Sequence, residues 1–317
     1  SMIPTGACGP VVAVVGPTAV GKSVTADIVA MRLASEVVSA DAMQVYRGMD
    51  IGTAKTPIDK RLAPLDMVDI VDPGTPYSAA LYQKHARLEI NRLLNDHLVP
   101  VVCGGTGLYV RAALDDWDFP SGQIDDTRRA HYKQMEHELG PLGLYEHLKH
   151  IDPKSAEQIH PNNTRRVVRA LEMHDEGISY ADQKASFSEI KPYYETLYYC
   201  LTMDRKRLYE RIDRRVDEMF DSGLLDEVKR LVSLGYEDAL TSMQAIGYKE
   251  LISYLKGQST LDEALDLIKR RSRHYAKRQI SWFKRDSRIT WISMDENDPN
   301  SAACFILDAL EKNYGAI

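Results

Sequence analysis

Gly16-Pro17-Thr18-Ala19-Val20-Gly21-Lys22-Ser23 decides how this chain is read. The octet follows an apolar run, Val11 to Val15, and opens an amphipathic one, Val24 to Leu33. A glycine, four residues and then Gly-Lys-Ser, set between a strand and a helix, is the Walker A pattern. Such a loop turns backbone N–H groups inward, and the helix N-terminus adds partial positive charge. Lys22 supplies a full charge, and the Ser23 hydroxyl suits Mg²⁺. Gly16, Thr18, Ala19, Val20, Gly21, Lys22 and Ser23 are therefore expected to grip a polyphosphate, and the octet alone leaves its owner open.

Outward from the octet, residues 11 to 115 alternate strands and helices. Strands are expected at Val11–Val15, Glu36–Ser39, Met67–Val71 and Val99–Cys103, and helices at Lys22–Leu33, at Ala79–Leu94 and, opened by Gly104-Gly105-Thr106-Gly107, through Leu114. That alternation predicts an α/β fold, a P-loop NTPase-like parallel sheet with helices on both faces. Ligands of such sheets sit beyond the carboxyl ends of the strands. Gly16, Asp41 and Gly104 each follow a strand and should face one crevice.

The pattern breaks at a turn-rich stretch, Asp115 to Ser121. Helical segments follow near Asp126–Leu139, Gly143–Lys149, Pro153–Ile159 and Thr164–Asp175, and strand character returns at Thr196–Met203. Residues 118–196 thus read as a mostly helical insertion, with 1–117 and 197–317 forming the core. Its C-terminal region is helical, at Arg205–Ser222, Leu224–Leu234, Ile246–Leu255, Leu261–Lys284 and Asn300–Tyr314, with an edge strand at Thr290–Ser293.

The chain has 317 residues, 44% of them hydrophobic, enough for a real core. No apolar run approaches the ~20 residues of a membrane span, and no signal peptide is seen. Ser1 before Met2 reads as a cloning scar. Cys8, Cys103, Cys200 and Cys304 are scattered, which argues against a zinc site and fits a cytoplasmic protein. The net charge of −6 argues weakly against nucleic acid, but Lys269 to Arg288 holds nine Lys or Arg against Asp286 alone. On the Leu261–Lys284 helix, Leu261, Leu265, Ile268, Tyr275 and Trp282 share one stripe. Arg270, His274, Lys277, Ser281 and Arg285 lie roughly opposite, so the basic side should face outward.

Asp41 could be a turn carboxylate, a general base toward a bound nucleophile, or an outer partner of Mg²⁺. Gln44 has the paired hydrogen-bonding groups to read a base edge. Tyr46 could stack, though a lone aromatic is usually core. Thr106, in Gly104-Gly105-Thr106-Gly107, is placed to hydrogen-bond a phosphate. Arg165, Arg166 and Arg169 follow His160-Pro161-Asn162 on a helix, and His160 reads as structural. One of Arg214 and Arg215 should turn toward the crevice.

Taken in order, these stretches resemble the tRNA dimethylallyltransferase family over nearly the whole chain. The resemblance rests on Gly16–Ser23, on residues 39–46 (Ser-Ala-Asp-Ala-Met-Gln-Val-Tyr) and on residues 48–55 (Gly-Met-Asp-Ile-Gly-Thr-Ala-Lys). Residues 104–109, His160-Pro161-Asn162, Arg166–Glu172, Met243–Lys249 and Tyr275–Gln279 complete it. It implies a prenyltransferase that moves a dimethylallyl group from dimethylallyl diphosphate to the exocyclic amine of the adenosine 3′ of the anticodon. The loop, similar to a kinase's ATP-binding loop, would hold that diphosphate, with Mg²⁺ on Ser23. Asp41 would be the base, with Thr106 and Arg215 on the diphosphate. Asp41, Ala42, Met43, Gln44, Arg165, Arg166, Val167, Val168, Arg169, Lys277 and Arg278 would touch the anticodon stem-loop, and the enzyme would be a monomer. Ala42 stands where the family often has Ser, and Pro57 comes one residue later than its pattern. A small-molecule kinase, a nucleotide-dependent RNA-binding switch and an enzyme prenylating free AMP are the rival readings.

Overall fold

Val11–Val15 is β1, and every one of its residues is buried. A strand apolar at consecutive positions has both faces covered, which is the signature of a parallel sheet packed between helices. The computed structural model, described here for residues 9–117, 126–243 and 245–315, bears this out. Cys8, the expected start of the insertion at residue 118 and Gln244 lie outside the described residues.

Six strands form one parallel sheet in the order β3-β2-β4-β1-β5-β6. They are β1, β2 (Val37–Ser39), β3 (Leu65–Asp66), β4 (Val101–Gly104), β5 (Thr196–Thr202) and β6 (Thr290–Ser293). Val12 lies between Val101 on β4 and Leu197 on β5, so the octet leaves the middle of the sheet. Among the helices, α1 (Lys22–Arg32), α2 (Ala79–Asn95) and α3 (Gly107–Leu114) match the expected positions within a residue.

One expected strand is displaced. β3 is Leu65–Asp66, and Met67–Val71 does not continue it. Met67 and Asp69 adopt left-handed φ values of 66° and 56°. The segment docks onto the stretch after β2 instead, with Asp69 N donating to Gln44 O, Ile70 N to Val45 O and Lys55 Nζ to the Asp69 carboxylate.

The chain divides into two compact units, Ser1–Leu114 with Pro192–Ile317, and Asp115–Lys191. In the second unit, α4 (Asp126–Ile151) is broken at Gly140-Pro141, where Gly140 has φ 73° and ψ 167°. Proline lacks the N–H that a continuous helix requires there. After α4 come α5 (Pro153–Ala156), α6 (Thr164–Asp175) and α7 (Tyr180–Ser188), the last not foreseen. Leu144, Leu148, Ile159, Val167 and Leu171 form its core. The start of α4 is clamped to α6 by Arg129 on the buried Glu172 and by Arg128 on Asp175 and Glu176.

The first unit ends with α8 (Arg205–Asp221), α9 (Leu224–Ser233), a short α10 (Glu237–Ser242) the sequence did not suggest, α11 (Tyr248–Leu255), α12 (Leu261–Phe283) and α13 (Pro299–Tyr314). One apolar core joins the sheet to α1, α8 and α13. A second gathers Val45, Met49, Val216, Leu224, Val228, Tyr248 and Ile268 from the segment after β2 and from α8, α9, α11 and α12. On α12 the basic residues Arg270, His274 and Lys277 are exposed, as is Arg285 just beyond its end, as the periodicity required, while Ile268, Ala276 and Phe283 are buried.

Candidate active site

The octet bends because Gly21, at the N-cap of α1, has φ 101°, a left-handed conformation that favours glycine. No side chain caps this helix, so its first-turn amides keep their capacity for an anion. Beyond the strand ends lies a cavity of about 390 Å³. Its polar lining includes Thr18, Lys22, Ser23, Asp41, Thr106, Arg215 and Arg278. Its apolar lining includes Ile212, Val216, Met219, Leu224, Ile246 and Ile268. A second cavity of about 260 Å³ shares Lys22, Ser23 and Arg215 and adds Ala19, Gly21, Arg211, Arg214 and Glu218.

The members of the octet take different places. Lys22 and Ser23 line both cavities. Thr18 lines the larger one, but its amide is already donated to Gln279 Oε1 at 3.0 Å, so that N–H is not available to a phosphate. Val20 is buried in the sheet core and its amide turns back to Pro17 O, while Gly16 lines neither cavity. Gly16 and Val20 therefore shape the loop and are not among its contact surfaces.

Asp41 sits just beyond β2. Its Oδ1 accepts from Gly105 N at 2.8 Å, and its own amide donates to Ser39 Oγ at 3.3 Å. Oδ2 has no partner among the described residues. Thr106 Oγ1 accepts from Ala42 N at 2.9 Å and Thr106 N donates to Ala40 O at 3.3 Å, so the two loops are fastened at three points. Arg215 is the arginine of its pair that lines the larger cavity, while Arg214 is exposed and lines the smaller. Burial pulls the Arg215 guanidinium below its ordinary value, and the Asp41 carboxylate opposes that shift. Burial also raises the Tyr275 phenol, with the Asp41 charge adding to the effect.

Gln44 lines the cavity, and its amide already makes one bond through each of its two ends within the protein. Oε1 accepts from Ser39 Oγ at 2.8 Å and Nε2 donates to Thr53 O at 3.0 Å. Tyr46 is core. Ala42, Met43 and Arg278 line the cavity, and Lys277 is exposed on α12.

Residues 165–169 belong to the second unit. Arg165 and Arg166 are exposed. Val167 and Val168 are 0% and 7% exposed, with their side chains in that unit's core. Arg169 is half-buried and paired to Glu172 at 3.4 Å. His160 is exposed, and its Nδ1 accepts from Asn162 N in the turn before α6.

Gln279 was missed by reasoning from sequence. It is 5% exposed, accepts from Thr18 N and donates from Nε2 to Gly105 O at 3.0 Å, so one amide fastens α12 to both glycine loops. Its only signal was its place at the end of Tyr275–Gln279. Among the described residues no three His, Cys, Asp or Glu side chains form a metal-binding group, and no helix is long and apolar enough to cross a membrane.

A family model described as IPP transferase matches residues 44–286. The chain is 47% identical over 282 residues to a tRNA dimethylallyltransferase of Carboxydothermus hydrogenoformans, covering 88% of this chain and 90% of that protein. It is 43% identical to the corresponding protein of Alkaliphilus oremlandii, over 93% and 95% of the two chains. A full-length tRNA isopentenylpyrophosphate transferase from Bacillus halodurans superposes with a TM-score of 0.69 at 42% identity, over 95% and 97% of the chains. A eukaryotic dimethylallyltransferase captured acting on tRNA superposes with a TM-score of 0.80 at 27% identity, over 96% of this chain and 79% of that one.

Proposed function

The chain belongs to the IPP transferase family, and from that premise we propose how its residues carry out the reaction. The enzyme moves a dimethylallyl group from dimethylallyl diphosphate to the exocyclic amine of the adenosine 3′ of the anticodon in tRNA, releasing diphosphate. One observation carries the assignment of roles. Asp41, held through one carboxylate oxygen, shares a single cavity with Lys22, Ser23 and Arg215.

The adenine amine is a poor nucleophile because its lone pair is delocalised into the ring. The allylic C–O bond breaks with its electron pair leaving on diphosphate. The amine nitrogen forms the new C–N bond, and its proton passes to Asp41. Positioned bases typically contribute ~10²–10⁴ in rate. Lys22, Arg215, Thr106 and the amides at the start of α1 stabilise the charge growing on the leaving diphosphate, with about 3–4 kcal/mol typical of one key donor. The apolar lining from Ile212 to Ile268 receives the dimethylallyl group.

The donors fit Mg²⁺ in one specific way. Mg²⁺ is usually held by one or two protein groups together with substrate phosphates and water. Ser23 offers one hydroxyl in the cavity, and among the described residues no carboxylate cage competes with the diphosphate for the ion. Bound there, the ion would neutralise diphosphate charge.

The adenosine leaves its stack to reach Asp41, at a cost of about a few kcal/mol. Phosphate contacts from Arg165, Arg166, Lys277 and Arg278 would offset that cost. Incubation with labelled dimethylallyl diphosphate, Mg²⁺ and unmodified tRNA, without ATP, should transfer label to the tRNA. Label on free AMP alone, or a strict need for ATP with release of ADP, would overturn this reading.

A further inference from the structure

A second carboxylate, remote in sequence from Asp41, bears on the same cavity. Glu227, on α9, is 3% exposed, and among the described residues it has no cation partner. Its Oε1 accepts from Asp50 N at 3.0 Å and Ile51 N at 2.9 Å. Its Oε2 accepts from Gly52 N at 3.2 Å and from the Tyr248 hydroxyl at 2.7 Å. A buried carboxylate without a cation is tolerable only when hydrogen bonds replace its lost hydration. Here three successive backbone amides converge as they do around bound anions, and the anion is supplied by the protein itself.

The segment so held is part of the cavity wall, since Gly52, Thr53 and Ala54 all line it. Its approach to α11 is tight. A Cβ on Gly52 would lie 2.5 Å from the Tyr248 ring, so only glycine allows this packing. The other side of the segment is pinned by buried Lys55, whose Nζ donates to Tyr46 O, Asp50 and Asp69. From this wall a continuous path of hydrogen bonds runs to Asp41. Thr53 O accepts from Gln44 Nε2, Gln44 Oε1 accepts from Ser39 Oγ, and Ser39 Oγ accepts from Asp41 N.

We propose that Glu227 is a positioning residue: it occupies the amide nest of residues 50–52 and thereby sets the cavity wall and the placement of Asp41 against the adenine. The inference rests on Asp41 being the base. It does not involve the phosphate loop, with which Glu227 makes no hydrogen bond. The loss on removing Glu227 should therefore fall on kcat and leave the KM for dimethylallyl diphosphate unchanged.

The test measures single-substrate kinetics on the full chain with unmodified anticodon stem-loop RNA and Mg²⁺. Rates are normalised to the number of dimethylallyl diphosphate sites titrated by calorimetry, which removes any loss due to misfolded protein. E227A should lower kcat per site on the order of 100-fold, as expected when a reacting group is misplaced by about 1 Å. E227Q keeps the acceptors for Asp50 N and Ile51 N and should recover most of the rate. Y248F, which removes one donor of four, should lie between E227Q and E227A, again with KM unchanged. Wild-type kcat in folded E227A, or a loss confined to the KM for the diphosphate, overturns the proposal. If E227A does not fold, Y248F decides: reduced kcat at unchanged KM supports the proposal, and wild-type kcat overturns it. D41N, assayed in parallel, separates the two readings. A fully active D41N defeats the role of Asp41. An inactive D41N beside fully active Glu227 variants defeats only the role of Glu227.

Discussion

The polar and apolar parts of the cavity lining are built in opposite ways. The polar part comes mainly from loops that leave neighbouring strands, with Lys22 and Ser23 after β1, Asp41 after β2 and Thr106 after β4. The apolar part comes from Ile212, Val216, Met219, Leu224, Ile246 and Ile268, on or beside α8, α9, α11 and α12, and most of it doubles as the face of the second core. Charge and hydrogen bonding are thus fixed by short loops on a rigid sheet. Shape is fixed by helices whose sequence must also satisfy packing. The two parts should therefore fail in different ways, the first by losing chemistry and the second by losing fit.

The sharpest break is D41N, which removes the base while keeping the acceptor for Gly105 N. Single-turnover prenylation should fall ~10²–10⁴-fold with RNA binding retained, and a wild-type rate would remove Asp41 as the base. K22A should weaken dimethylallyl diphosphate binding on the order of 100-fold by calorimetry, in line with the loss of one key charged donor. Q279L tests whether the polar loops need their fastening to α12. It should slow turnover about 10-fold through misplacement, and KM and kcat should both move because both loops are released. M219A probes the apolar side. It should raise the KM for dimethylallyl diphosphate by about 10-fold or less, the scale of small apolar deletions in a pocket, with kcat nearly kept. If M219A instead abolished kcat at unchanged KM, the contrast between the two parts of the lining would fail.

The same contrast explains what could be read in advance. Lys22, Ser23, Asp41 and Thr106 were legible because each follows a short strand that its own apolar residues reveal, and parallel topology brings those strand ends together. Arg215 was narrowed to a pair by the helical stripe of Ile212, Val216 and Met219. Gln279 and Glu227 were not legible, because their partners lie far away in sequence, Gln279 from Thr18 and Gly105 and Glu227 from residues 50–52. On a helical wheel Glu227 borders the apolar stripe of Leu224, Val228 and Leu231, which points to burial but not to its partners. The bonds Gln44 makes to Ser39 and Thr53 were likewise not legible, because they depend on how the segment after β2 folds back on itself. Val167 and Val168 entered by contiguity with three arginines, and helical periodicity turns them inward.

One feature of the first unit bears on how such a protein can change. Leu114 O, where the chain leaves for residues 115–191, accepts from Tyr193 N at 2.9 Å and Tyr194 N at 3.4 Å, where the chain returns. Exit and re-entry are stapled side by side, and the Tyr194 hydroxyl anchors the return to Asn91 on α2. The intervening 77 residues therefore hang from a closed port. An exchange of that cassette for a longer, shorter or unrelated one leaves strand register and cradle untouched, so evolution, or a designer of chimeras, can vary one module while the catalytic chassis stays constant.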